Sequence, residues 1–489
     1  MSTSTVQRSL KWAFVLTWGQ RGTTTLATLV LASLLGPRNY GLVGMALVYL
    51  SFLQLFLEQG IAHAVIQRED LVVDDIDAAF WMNVGWSVVL ATVSVLVSGP
   101  WARFTRVPEL APVINALSLT LVIRGLTVVQ EALAQRELRF RALALRSNVA
   151  AVIGASVGIG AALLGAGVWS LVLQQLALAL ASLVLLWSLA TWRPRLRFSA
   201  VHARRIVGFS AQVFAGHLGV FLQGRIDEML LGVFFGPRAV GLYRLADRMM
   251  EVALQLANRP MQVITFAHLA RLQEDPVALR DTVRDFLRTT SMLSVPALLV
   301  VAAVADRAVA VVGPEWTAAA PALRLLCLAG IARAAMSFTG PLLMATAQPR
   351  RRALMIWGLA VVSVPLFLGA AWSLRALPVE QQVVGMAAAT ALISLLLFLP
   401  VSFAMMLRVS GLTARALVPT VTPSLLSGIG AVLAVTIATQ SGMLDPMAGH
   451  PVWALGAAGA IAVAAAVGIL LGLERDLRLR ARGLLVGRT

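Results

Sequence analysis

Residues 36–42 read Gly-Pro-Arg-Asn-Tyr-Gly-Leu, and residues 236–242 read Gly-Pro-Arg-Ala-Val-Gly-Leu. Each segment follows one long apolar run and opens another. Because proline has no backbone N–H and glycine accepts unusual dihedral angles, a Gly-Pro pair ends a helix. Each segment is therefore predicted to form a tight turn between two long apolar helices. A repeat separated by 200 positions is too long for a solenoid and is typical of the duplicated halves of a transporter.

Composition places the chain in a membrane. It is 59% hydrophobic and 13% charged, with a mean hydropathy of +0.83, and its apolar runs are long enough to cross a hydrocarbon core of roughly 30 Å. No cleavable signal peptide is apparent. The lone Cys327 excludes a disulfide or a cysteine metal site within the chain. Because there is no P-loop lysine, Walker-type nucleotide hydrolysis is also excluded. No cofactor and no metal are predicted.

Fourteen transmembrane helices are predicted, which makes the chain an all-α integral membrane protein. Their approximate bounds are 12–35, 41–66, 79–99, 112–134, 148–166, 168–191, 207–235, 240–268, 286–305, 321–346, 353–374, 383–407, 418–438 and 451–472.

The 40 basic residues concentrate at the N-terminus, in the C-terminal tail and in the loops that follow even-numbered helices. By the positive-inside rule these segments are cytoplasmic. The chain is therefore expected to be a multi-pass protein of the plasma (cytoplasmic) membrane with both termini inside. The net charge of +17 then reflects topology, and no nucleic-acid partner is predicted.

The two Gly-Pro segments predict two lobes. Helices 1–6 form the first lobe, residues 1–206, and helices 7–12 form the second, residues 207–417. Six is an even number, so the two lobes insert with the same orientation and are related by a parallel pseudo-two-fold axis along the membrane normal. Residues 418–489 contain two appended helices and a basic cytoplasmic tail. Within the first lobe, Gly154 and Gly158 are expected to form a small-residue packing face.

Charged residues inside the predicted helices are the candidate functional residues, since each arginine costs at least about 2.5–3.5 kcal/mol at the bilayer centre. The arginines are Arg21, Arg124, Arg225, Arg244, Arg248, Arg259, Arg324 and Arg333. The acids are Glu58, Glu131, Asp227, Glu228, Asp247 and Glu251.

Arg21, Arg124 and Arg333 lie near the middle of their predicted helices, and Arg225 lies somewhat further out. These four arginines are the candidates for a cationic cavity. A guanidinium binds phosphate through two parallel N–H groups, which the point charge of a lysine cannot do. The predicted ligand is therefore an anion, a phosphate or pyrophosphate.

A further set of charged residues is assigned to coupling or gating. It comprises Glu58, Glu131, Asp227, Glu228, Arg248, Glu251 and Arg259. A structural alternative stays open, because Arg225 with Glu228 and Arg248 with Glu251 are spaced i,i+3 and can neutralise each other. Glu58 and Glu131 can likewise pair across helices.

Several segments resemble one known family. They are residues 35–42, 56–60, 66–68, 79–81, 135–141, 167–172 and 192–194, which read LGPRNYGL, FLEQG, IQR, AFW, QRELRFR, GVWSLV and WRP. They are similar to the polysaccharide transporter branch of the multidrug/oligosaccharidyl-lipid/polysaccharide (MOP) exporter superfamily. The likeness is greatest to Wzx-type O-antigen and exopolysaccharide flippases of the colanic-acid-exporter-like group.

This resemblance implies a two-lobed MATE/MOP-like bundle. It also implies a flippase that moves a polyprenyl-pyrophosphate-linked oligosaccharide from the inner to the outer leaflet by alternating access. Its partners would be this lipid-linked cargo, membrane lipids and a polysaccharide polymerase with its export machinery. Two alternatives keep the fold, a cation-coupled multidrug exporter and a lipid II flippase. A membrane polymerase or ligase is disfavoured, since no loop is large enough for a catalytic domain, so the chain is not expected to be an enzyme.

Overall fold

The computed structural model describes residues 3–57, 62, 65–66, 68, 70–196, 199, 210–271, 275–443 and 450–473. Side chains are described within these ranges except at residues 3–18, 21, 210–213, 256–257, 259–268, 270–271 and 276. The chain divides into two compact units, Met1–Gly241 and Leu242–Thr489. The predicted lobe boundary at residue 206 lies outside the described residues and stays a prediction, as does the one at residue 417.

The first unit is built from long helices joined by short turns. They are α1 (Thr3–Leu57), α2 (Val73–Phe104), α3 (Leu110–Arg136), α4 (Phe140–Leu163), α5 (Val168–Leu189) and α6 (Ser210–Phe235). Helix α7 (Pro237–Arg271) begins in the first unit and continues into the second.

The second unit is also helical over its described residues. Its helices are α8 (Pro276–Ala303), α9 (Ala305–Val312), α10 (Ala319–Met336), α11 (Thr339–Ala345), α12 (Pro349–Leu374), α13 (Val379–Ile393), α14 (Leu399–Ser410), α15 (Ala414–Gln440) and α16 (Pro451–Leu473). A one-turn 3₁₀ helix at Pro314–Trp316 precedes α10, and a π-helical segment at Ser394–Phe398 joins α13 to α14.

Among the described residues, eleven helices are long and apolar enough to cross a membrane. Two helices predicted to be transmembrane, α6 and α7, are not among them. Helix α6 carries Arg225, Asp227 and Glu228, and α7 carries a similar group beginning at Arg244. These charges lie within the stretch that would cross the membrane, and they set both helices apart from the eleven. The all-helical multi-pass architecture predicted from the sequence is confirmed.

Both Gly-Pro segments have the backbone that the sequence predicts. Gly36 has φ 71° and ψ 168° and interrupts α1, while Gly236 has φ 80° and separates α6 from α7. Positive φ favours glycine because there is no Cβ to clash. Pro37 and Pro237 then open the following helical segments, where a missing N–H has no intrahelical partner to lose. The two helix starts pack against each other, with Gly41 opposite Gly241.

Small residues allow close helix packing elsewhere. A Cβ on Gly158 would lie 2.7 Å from the Cβ of Gln174, and one on Gly154 would lie 2.8 Å from the Cβ of Leu178. The predicted packing face of α4 is therefore confirmed, and it lies against α5. In the second unit, α16 buries a stripe of alanines at Ala454, Ala458, Ala462 and Ala466. The last three of them lie in one cluster with residues of α15.

Candidate functional site

One carboxylate in the first unit is shared by two arginines. The Nη1 atoms of Arg124 and of Arg146 both lie 3.1 Å from Oε2 of Glu131. Nη2 of Arg146 donates to the other carboxylate oxygen, Oε1, at 3.2 Å and to Oγ of Ser147 at 3.3 Å. Two guanidinium groups facing one carboxylate leave an excess of one positive charge at this cluster.

The helices explain why these three residues meet. Arg124 and Glu131 are seven residues apart on α3, which is two helical turns, so they lie on the same face. Arg146 enters from α4, which follows α3 after a short turn. The Arg146 side chain is 10% exposed and that of Glu131 is 20% exposed, whereas the Arg124 side chain is 43% exposed. Arg124 is therefore the most exposed residue of the three.

The second unit contains a simpler pair of the same kind. Nη1 of Arg333 on α10 donates to Oδ1 of Asp247 on α7 at 3.1 Å, with side-chain exposures of 32% and 22%. The predicted repeat relates the fourth predicted transmembrane helix to the tenth. Arg124 lies in the fourth and Arg333 lies in the tenth. In each unit the candidate arginine is thus partly exposed and bonded to a carboxylate from its own unit.

The two i,i+3 pairs weighed as structural pairs are present. Nη1 of Arg225 lies 3.0 Å from Oε2 of Glu228, and Nη1 of Arg248 lies 3.6 Å from Oε2 of Glu251. The Glu228 side chain is 6% exposed and that of Arg225 is 47% exposed. Asp227 is also buried, and its Oδ1 accepts a hydrogen bond from the backbone N–H of Glu228 at 2.9 Å. The two pairs neutralise their charges locally, and a role in coupling or gating stays a prediction.

Three further candidates fall outside the described part of the structure. Glu58 is not described, and for Arg21 and Arg259 the side chains are not described. Their assignments to the cationic cavity and to coupling or gating stay predictions.

Sequence reasoning missed Arg146, because its charge placed it in a cytoplasmic loop. The structure begins α4 at Phe140, eight positions before the predicted start. A sequence signal was present in the spacing of Leu143, Arg146, Ser147 and Ala150, which is that of one helix face. The structure buries all four residues. Asp247 was seen as a charge within a helix, but its pairing with Arg333 was not foreseen.

The chemistry of these clusters favours an anionic ligand. Arginine presents five N–H donors and no acceptor, so once its carboxylate partner moves away it can bind a phosphate oxygen. Among the described residues, no group of three His, Cys, Asp or Glu is placed to hold a metal ion.

A separate apolar cavity of about 290 Å³ lies in the first unit among α1, α2 and α6. Its walls include Met45, Phe52, Trp101 and Met229, and Glu228 is the charged residue that lines it.

The sequence matches one protein family and is similar to several known proteins. Residues 30–321 match the family described as "Polysaccharide biosynthesis protein". The succinoglycan biosynthesis transport protein ExoT of Rhizobium meliloti is 25% identical over 329 residues, which covers 67% of each chain. The lipopolysaccharide biosynthesis protein WzxC of Escherichia coli is 27% identical over 341 residues, which covers 69% of each chain.

The fold is similar to that of a solved structure, the lipid II flippase MurJ in an inward closed conformation. The TM-score is 0.75 at 12% sequence identity, over 95% of this chain and 99% of that one. At this identity the similarity concerns the fold. It confirms the expected MATE/MOP-like helical fold.

Proposed function

The chain belongs to the polysaccharide biosynthesis protein family, and from this membership we propose that it is a flippase for a lipid-linked oligosaccharide. The cargo would carry a polyprenyl chain, a pyrophosphate and a polysaccharide repeat unit. The protein would move its headgroup from the inner to the outer leaflet and would form no covalent bond. The observation that carries the proposal, beside family membership, is a partly exposed arginine bonded to a carboxylate in each unit.

The arginine–carboxylate bonds give these arginines a resting partner. An unpaired guanidinium in a low-dielectric region is costly, so each needs a counterion when no cargo is bound. Glu131 supplies it to Arg124, and Asp247 supplies it to Arg333. The diphosphate of the cargo offers more acceptor oxygens than a carboxylate and binds guanidinium groups in a bidentate manner. We assign to both arginines an exchange in which the carboxylate yields to the diphosphate and returns when the cargo leaves.

The two arginines of the first unit, Arg124 and Arg146, differ in exposure and are assigned different roles. Arg124 is 43% exposed and would contact the cargo, whereas Arg146 is 10% exposed and would act as a positioning residue that holds Glu131. When the cargo displaces Arg124 from Glu131, Arg146 keeps the carboxylate neutralised. The excess positive charge then lies on Arg124, the more exposed of the two arginines.

Orientation follows from the distribution of basic residues. With both termini cytoplasmic, loading would occur at the inner leaflet and release at the outer one, by alternating access. The polyprenyl chain would remain in lipid. A polymerase and its export machinery would receive the product in the outer leaflet.

A cellular experiment tests this proposal. The double variant Arg124→Gln/Arg333→Gln should abolish surface polysaccharide while the protein remains at its normal level in the membrane. The matched control is Arg324→Gln, because Arg324 lies on the same helix as Arg333 and is bonded to Asp306. Normal surface polysaccharide from the double variant, or an equal loss from the control, would contradict the proposal.

A second candidate function is export of a lipophilic cation, and one observation favours it. The cavity of about 290 Å³ is apolar and has the carboxylate of Glu228 in its wall, which is the chemistry that such a cation needs. However, Arg225 already neutralises Glu228. Under this alternative, Glu228→Gln abolishes drug resistance while Arg124→Gln leaves it unchanged. Under the flippase proposal, expression of the protein confers no resistance.

A further inference from the structure

Aromatic side chains pack together at the C-terminal end of α5 and fix the position of the chain that follows this helix. The ring of Phe80 contacts those of Trp187 and Trp192 nearly edge-on, at centroid distances of 5.9 and 5.7 Å. Nε1 of Trp187 donates to the carbonyl of Leu126 at 3.1 Å, and Nε2 of Gln130 donates to the carbonyl of Trp192 at 3.1 Å. The indole of Trp187 is thus fixed against α3.

The backbone that follows Arg193 is also fixed by hydrogen bonds. The N–H of Arg195 donates to Oδ1 of Asp77 at 3.1 Å, and the carbonyl of Arg195 accepts from Nε1 of Trp81 at 2.7 Å. The guanidinium carbon of Arg193 lies 5.5 Å from the centroid of the Trp187 ring, within the range of a cation–π contact. Among the described residues, no carboxylate pairs with Arg193. Arg193 is therefore an exposed cation. Hydrogen bonds fix the backbone on both sides of it, and the indole of Trp187 lies beside its guanidinium group.

An apolar groove of about 440 Å³ runs beside this cation between α3 and α5. Its walls include Leu126, Leu183 and Val184, and Arg193 stands at its rim. Val184 is 64% exposed on a helix that is apolar enough to span the membrane and ends at Leu189. The groove therefore lies at the depth of lipid chains, and Arg193 lies just beyond the end of the span, where headgroups lie.

We propose that this groove binds one anionic phospholipid, with its phosphate on Arg193 and an acyl chain along Leu126, Leu183 and Val184. An apolar wall with a cation at one end is complementary to a lipid that has one chain at hydrocarbon depth and one negative headgroup. Guanidinium is weakly hydrated and forms paired N–H bonds to phosphate, and basic pockets between transmembrane helices bind anionic headgroups. The site is distinct from the Arg124–Glu131–Arg146 cluster and does not depend on the proposed cargo.

Native mass spectrometry of the purified full chain tests the site, with phosphatidylglycerol as the probe and phosphatidylcholine as the neutral lipid. Arg193→Gln should weaken phosphatidylglycerol binding about tenfold, the loss expected for one charge-assisted hydrogen-bonding group, and should leave phosphatidylcholine binding unchanged. The matched control is Arg375→Gln, because the Arg375 guanidinium lies over Trp372 at 3.7 Å without contributing to this groove. Unchanged binding in Arg193→Gln, or an equal loss in the control, would overturn the proposal.

A second variant tests the groove without touching its charge. Val184→Trp fills the groove and should also reduce phosphatidylglycerol binding, because the acyl chain loses its place. Unchanged binding in this variant would mean that no chain lies there, and the proposal would be wrong. If the groove retains a polyprenyl diphosphate and not phosphatidylglycerol, its occupant is the cargo and the proposal is likewise overturned.

Discussion

Gly41 and Gly241 face each other where the two helix starts cross. A Cβ on Gly41 would lie 2.6 Å from the amide nitrogen of Gly241, and a Cβ on Gly241 would lie 3.2 Å from the amide nitrogen of Gly41. Each Cβ would also overlap a carbonyl oxygen, that of Pro237 in the first case and that of Pro37 in the second. The duplicated segments therefore meet through a reciprocal backbone contact that only glycine permits.

We predict that Gly41→Ala and Gly241→Ala each destabilise the protein by about 1–3 kcal/mol, the range for overpacking a close contact. The reason is that the added methyl group meets backbone atoms, which cannot move aside as a flexible side chain can. The measurement is the thermal unfolding temperature of the purified variants. Gly85→Ala is the control, since a Cβ there has no atom within 4 Å. A pair of variants as stable as this control would refute the reciprocal contact.

The three-residue cluster predicts an order of stabilities. Glu131→Gln leaves the 10%-exposed Arg146 without a charged partner, and breaking such a buried pair costs about 3–5 kcal/mol. Arg124→Gln should have a smaller effect, since that side chain is 43% exposed and Arg146 still neutralises Glu131. Denaturant unfolding of the two variants measures the difference.

The control for this cluster is Glu109→Gln. Glu109 pairs with Arg38 at 2.7 Å, but the two side chains are 53% and 70% exposed, and exposed pairs contribute at most about 1 kcal/mol. If Glu131→Gln is no more destabilising than Glu109→Gln, Arg146 does not depend on Glu131 in the way described.

Removing a resting counterion should strengthen anion binding. Asp247→Asn takes away the carboxylate that lies 3.1 Å from Arg333, so an incoming diphosphate no longer competes with it. We predict about tenfold tighter binding of inorganic pyrophosphate, which corresponds to about 1.4 kcal/mol. Titration calorimetry on the detergent-purified variant measures this constant. Equal or weaker binding would show that Asp247 does not compete with anions for Arg333.

Helix α16 should depend on its alanines. Ala458 is fully buried against α15, so Ala458→Leu forces the two helices apart and should cost about 1–3 kcal/mol. Val463→Leu on the same helix is the control, because Val463 is 52% exposed. Comparison of the two unfolding temperatures tests the prediction, and equal values would show that the alanine stripe is not a close contact.

The fold was largely predictable because its signals are local. Gly36-Pro37 and Gly236-Pro237 mark helix boundaries by their own chemistry, and an apolar run long enough to cross a bilayer is visible without any tertiary knowledge. The small-residue face of α4 was readable for the same reason. The start of α4 was not, since charged residues such as Arg141 and Arg146 read equally well as a loop or as a helix that begins in water.

The site was less predictable because its contacts are set by packing. Arg225 and Glu228 are spaced i,i+3 on one helix, so the sequence alone predicted that they can pair. Arg333 and Asp247 are separated by 86 positions, and no local pattern indicates that α10 brings one beside the other. Arg124 has no acid one turn away, and its partner Glu131 is shared with a residue on another helix.

The most direct test of the central claim is headgroup movement by the purified protein in liposomes. A fluorescent polyprenyl-diphosphate-linked oligosaccharide is placed in one leaflet, and its accessibility to a quencher is followed with time. We predict that the wild-type chain exposes the headgroup in the opposite leaflet without cleaving or extending it, and that Arg124→Gln/Arg333→Gln slows this exposure to the rate of protein-free vesicles. Exposure at the wild-type rate by the folded double variant would contradict the account.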